Sequence, residues 1–128
     1  MKTMKFLSPM LMLSVTAPVS LQTQSDPCKG ETTYEMKQCS ARKFKKADDE
    51  LNKVYQQLMS KLDDEGHKTS LKAAQLAWLK YRDSNCDFEG YLNRGGSIYS
   101  VVVTECMTSM TTSRTEQMRE QIKRLADL

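Results

Sequence analysis

The chain has 128 residues, 39% of them hydrophobic, with 19 basic against 16 acidic side chains. That is enough sequence for one modest core and too little for two. A net charge of +3, with no basic run interleaved with aromatics, excludes long-range attraction of nucleic acid.

Residues 1–20 differ from the rest. "MKTMK" is a short basic start, and "FLSPMLMLSVTAPV" is an apolar run without an acid, the layout of a secretory signal peptide. Pro9 and Pro18 interrupt the run, and it is too short to span a bilayer. Cleavage is expected near Ser20, with residues 21–128 as the exported domain; no lipid-attachment pattern precedes Cys28. Without Lys2 and Lys5 the 19 basic side chains fall to 17 against 16 acids, a near-neutral surface suited to a partner recognised by shape and local patches.

Thr32 followed by Glu35 forms a capping-box pattern that opens a first, long helix. Met36, Cys39, Phe44, Ala47, Leu51, Val54, Tyr55, Leu58 and Leu62 then recur at helical spacing, and Gly66 is expected to end the element. A second helix carries Leu71, Ala74, Trp78, Tyr81, Cys86, Phe88 and Leu92 on its inner stripe, and the breaker "NRGGS" closes it. The third carries Val103, Cys106, Met110, Met118, Ile122 and Leu125, with Arg119, Lys123 and Arg124 favourably near its C-terminus. Its start is left open, because "SIYSVVV" is β-branched and suits an extended segment as well. Short turns between the helices make neighbours antiparallel, so the fold class is all-α, an antiparallel bundle of three helices.

Four cysteines in an exported chain read as two disulfides, and the spacings contain no CxxC pair for zinc. Folding the first hairpin about Gly66–His67 sets Trp78 level with Tyr55, Arg82 with Leu51 and Cys86 with Ala47. Folding the second about Gly95–Gly96 brings Cys86 beside Cys106, within the about 7 Å that a disulfide allows between Cα atoms. Cys39 then lies roughly 12 Å from that level at helical rise. Cys28–Cys39 follows by elimination, tying the N-terminal arm to the first helix.

The stretch "AQLAWLKYRDSNC" therefore reads as a structural anchor. Trp78 and Tyr81 lie on the core stripe, Trp78 level with Tyr55, while Arg82 at the stripe's edge reaches Asp48, Glu50 or Asn52 on the first helix. A half-buried arginine needs a carboxylate, since leaving it unpaired costs several kcal/mol.

The blocks "TTYEMKQC", "KADDELNKVYQQLM", "AQLAWLKYRDSNC", "GGS" and "CMTSMTTSRTEQM" resemble the successive blocks of the LprI-like family, also known as DUF1311, from Cys28 to about Met118. Thr33, Lys37 and Leu76 depart from the residues that are frequent in that family. The resemblance implies the same helical domain over residues 21–128 and, from the family's name, lysozyme inhibition.

Nothing in the sequence assembles a catalytic centre, and no metal site or cofactor is expected. His67 lies in a polar turn, Ser97 in "GGSIY" suits a helix N-cap, and "RGGS" lacks the lysine and spacing of a phosphate loop. Two non-enzymatic classes remain. One is a periplasmic inhibitor that occludes a lysozyme-type glycosidase, presenting Arg94, Ser97 and the tyrosines Tyr91 and Tyr99 from the tip "YLNRGGSIY". The other is an envelope interaction module, an adaptor, chaperone-like or immunity-type protein, for which Met107, Met110 and Met118 would supply an adaptable groove unless they are core. A protein partner is expected in either case, and the oligomeric state is left open.

Overall fold

The computed structural model describes residues 26–127; the expected signal peptide lies outside the described residues. After a 3-10 turn at Pro27–Lys29 come α1 (Thr33–Ser60), α2 (Glu65–Glu89), a second 3-10 turn at Tyr91–Asn93 and α3 (Tyr99–Ala126). The all-α, three-helix architecture is the one the periodicity implies. α2 runs antiparallel to both neighbours, so α1 and α3 run parallel, as the pairs Lys43–Glu105 and Glu50–Arg119 display.

Each boundary has a local cause. Thr32 caps α1 by accepting from the Glu35 amide at 3.2 Å, while Glu35 Oε2 accepts from the Thr32 amide at 3.1 Å. Those hydrogen bonds from Thr32 hold the Glu35 carboxyl below its ordinary value. α1 stops at Ser60, and Asp64 then caps α2 by accepting from the His67 amide at 2.7 Å. Gly66 accordingly sits in the first turn of α2 and does not end α1 as its chemistry suggested. The β-branched run at Val101–Val103 is helical: α3 has begun at Tyr99, with Ile98 in the cap position, so Ser97 caps nothing.

Both disulfides form as the register required. Cys28–Cys39 joins the N-terminal turn to α1 with a Cα separation of 4.8 Å, and Cys86–Cys106 joins α2 to α3 at 5.6 Å. Each closed loop contributes on the order of 2–4 kcal/mol. α3 packs along both other helices, whereas α1 and α2 approach each other least. The core gathers in the half of the bundle near the α1–α2 turn: Leu51, Val54, Leu58 and Met118 are buried, with Tyr55, Leu71, Trp78, Ile122 and Leu125 packed on them.

The other half is held by polar groups. Arg82 is buried and touches all three helices: Nη1 donates to Thr111 Oγ1 on α3 at 3.1 Å and lies 3.7 Å from Asp48 on α1, while Nε donates to Asp83 at 2.9 Å. Its guanidinium also stands 5.2 Å from the Phe44 ring and 5.4 Å from the Trp78 ring. Glu50 does not join this group; its carboxylate goes to Arg119 at 2.5 Å. Tyr81 is 60% exposed and leaves the expected inner stripe. The inner face of α2 is instead Gln75, Arg82 and Cys86, opposed by Thr111 and Thr115 on α3. Hydrophobicity was a poor guide there because the buried groups are polar and hydrogen-bonded.

Two substitutions test this packing in denaturant titrations of the oxidised chain. Arg82→Ala removes an arginine whose side chain is 7% exposed but whose acids keep part of their hydration; it is expected to cost about 2–3 kcal/mol. An unchanged midpoint would show that the three-helix junction carries no stability. A methyl at Gly90 would meet Val103 Cγ2 at 2.6 Å, so Gly90→Ala is expected to cost about 1–3 kcal/mol. A neutral effect would mean that α2 and α3 do not close on each other at that point.

Candidate interaction surface

Beyond the Cys86–Cys106 bridge, the α2–α3 connection turns tightly. Gly90 ends α2, the 3-10 turn Tyr91–Asn93 follows, and Gly95 takes φ +78°, a conformation that favours glycine. Asp87, in the last turn of α2, clips this connection from inside. It accepts from the Tyr99 hydroxyl at 2.5 Å and forms an ion pair with Arg94, whose guanidinium stands 4.6 Å over the Tyr91 ring. The Tyr99 hydrogen bond, and after it the charge of Arg94, hold the Asp87 carboxyl below its ordinary value. The same hydrogen bond from the other side holds the Tyr99 hydroxyl above its own.

The expected contact residues thus have different placements. Arg94 and Ser97 are exposed at the tip, whereas Tyr99 is half-buried and turned into the clip. Around Arg94 the tip is apolar: Leu92 is 95% exposed, Phe88 75% and Tyr91 58%. Phe88 and Leu92, expected on the inner stripe of the second helix, lie on the surface instead. Phe88 is two positions after Cys86, and positions two apart do not share a helix face; that spacing was the available signal. Tyr81, seven residues before Phe88, continues the same outward face along α2.

The cysteines are all bridged and none is free. Among the described residues no group of three His, Cys, Asp or Glu stands together to hold a metal ion, and no helix is long and apolar enough to cross a membrane. What the geometry offers is a fixed turn that displays one leucine, two aromatic rings and a guanidinium with donors left over, the composition of a protein contact.

Known proteins bear on this arrangement. The model of the family described as lysozyme inhibitor LprI matches residues 25–118. An uncharacterized protein of Rhizobium meliloti (strain 1021) is 32% identical to this chain, over 86% of this chain and 88% of the relative. The crystal structure of a DUF1311 family protein from Pseudomonas putida KT2440 superposes with a TM-score of 0.66 at 25% identity, covering 70% of this chain and 93% of that one.

The clip has a pH signature. The contribution of Asp87 is present above its ordinary value of 3.8 and is lost as pH falls through its lower folded value. The contribution of Tyr99 is present below 10.0 and fades as pH rises toward its higher folded value. An ultraviolet absorbance titration of the five tyrosines should show one ionising above 10.0, and Asp87→Asn should bring that one back. Identical titrations of the two proteins would mean that the clip does not form in solution.

Proposed function

The chain belongs to the lysozyme inhibitor LprI family, and from that premise we propose that it is an exported, non-enzymatic protein-binding module that blocks a lysozyme-type glycosidase with its α2–α3 tip. Export is supported by the signal-peptide pattern of residues 1–20 and by two disulfides, which persist in oxidising compartments.

The observation that carries this reading is the exposed set Phe88, Tyr91, Leu92 and Arg94 on a turn fixed by a disulfide and by the Asp87 clip. A rigid tip loses little conformational entropy on binding, so its apolar contacts convert into affinity efficiently. Glycosidases of the lysozyme kind work with two carboxylates flanking a sugar cleft. Leu92 at the apex would occupy the sugar-binding surface, and Arg94 would direct its free donors at a carboxylate. Because Asp87 already neutralises part of its charge, Arg94 acts here as an oriented donor more than as a long-range attractor.

A second reading has its own support. The apolar face does not stop at the tip: Tyr81 extends it along the outside of α2, farther than a cleft-blocking turn requires. An elongated face of that kind suits an adaptor or another envelope partner that lies along the helix.

The test is titration of the oxidised mature chain into chicken-type, goose-type and invertebrate-type lysozymes while cell-wall lysis is followed. At least one class should be inhibited near stoichiometry. Leu92→Asp and Arg94→Ala should each weaken inhibition by roughly tenfold or more, without a change in thermal midpoint. Full inhibition by both variants would remove the tip from the account. No inhibition of any class by the folded, bridged protein would leave the second reading.

A further inference from the structure

At the opposite end of the bundle from the tip, the three helices leave a groove of ≈ 520 Å³, inside the about 300–1,000 Å³ range of small-molecule sites. Its floor is aliphatic: Leu58 comes from α1, Leu62 from the α1–α2 connection, Leu71 and Ala74 from α2, Leu125 from α3. Its rim is basic, formed by His67, Arg114 and Arg124, and no carboxylate stands among the described residues that line it. Of the acids in the nearby turn, Asp64 accepts from the His67 amide and Glu65 pairs with Lys68, while Asp63 is not part of the groove's lining.

Arg114 reaches the groove with no carboxylate partner among the described residues. It donates to Gln75 Oε1 at 3.1 Å and to Gln117 Oε1 at 3.2 Å, both neutral amides. Gln121 on the same wall has its Oε1 buried with no hydrogen-bond partner among the described residues. A buried polar atom without a partner is costly, and a half-turn of the amide presents an NH2 in its place. The wall therefore carries an idle polar group and a positive charge beside an apolar trough.

We propose that this groove binds a single-chain amphipathic carboxylate of the fatty-acid class, its head against Arg114, Arg124 and Gln121 and its hydrocarbon along the leucine floor. Charge complementarity selects an anionic head. The floor selects a body without polar atoms, because the helix backbones that form it have spent their hydrogen bonds internally. A peptide would bury N–H groups there with only the side chains of His67, Ser70 and Gln121 able to accept from them. This site is independent of the tip and of lysozyme.

Trp78, the only tryptophan, supplies the readout: the Arg114 guanidinium lies 5.9 Å from its ring, so an anion on Arg114 alters the indole's surroundings. The experiment adds dodecanoate, below its micelle concentration, to the delipidated, oxidised full chain and follows Trp78 fluorescence with calorimetry in parallel. Saturable one-to-one binding is expected, weakened roughly tenfold by Arg124→Ala through loss of a charge-assisted contact. Ala74→Phe should abolish it by filling the trough; Ala74 is exposed, so this variant keeps the core intact. Dodecanol should bind more weakly than dodecanoate. No binding to the wild-type chain, equal binding by Ala74→Phe, or equal affinity for dodecanol would overturn the proposal. So would a leucine-rich peptide with a free C-terminus binding where dodecanoate does not.

Discussion

One buried guanidinium organises this molecule. Arg82 projects from α2 into a space that α1 and α2 do not close by direct packing, and it makes the connection that their backbones leave open. It donates to α3 through Thr111, faces Asp48 on α1 and lies near the rings of Phe44 and Trp78. A planar cation with five donors can satisfy that many neighbours at once; a lysine or an aliphatic side chain could not. Because the charge is buried, the surrounding acids and hydroxyl are obligatory, and they hold the helices in one register.

That junction divides the bundle into two unlike halves. Toward the α1–α2 turn, leucines, Val54 and Met118 make an ordinary apolar core. Toward the other end, Cys86–Cys106, the buried threonines and Arg82 hold α2 to α3 with little hydrophobic area. Apolar side chains not needed for that polar seam, Tyr81 and Phe88 on α2 and Leu92 in the turn after it, are released to the surface. The exposed tip is thus a consequence of how the seam is built. Rigidity comes from the same source, since the disulfide and Asp87 fix the turn from two sides.

Much of this was legible in the residues. Helical spacing yielded three helices, the Thr32–Glu35 capping box located the start of α1, and hairpin register paired Cys86 with Cys106, leaving Cys28–Cys39 by elimination. The Arg82–Asp48 approach came from the same register, while the choice of Glu50 as a partner did not survive: it faces α3 and takes Arg119. The errors share one cause. Reading the inner face of α2 by hydrophobicity put Tyr81, Phe88 and Leu92 inside, whereas the buried positions are Gln75 and Arg82, whose polar groups find partners across the seam. Glycine chemistry misled in the same way at Gly66, which was expected to end α1 but lies inside α2, started by the Asp64 cap.

The account's central claim is that the α2–α3 tip is the binding surface and the rest of the bundle is its support. Hydrogen–deuterium exchange of the oxidised chain, alone and with an inhibited lysozyme, tests it most directly. Slowed exchange should be confined to the segment from Asp87 to Tyr99, leaving the groove lined by Leu71 and Leu125 unchanged. Protection centred on α1, or on the groove with the tip untouched, would contradict it.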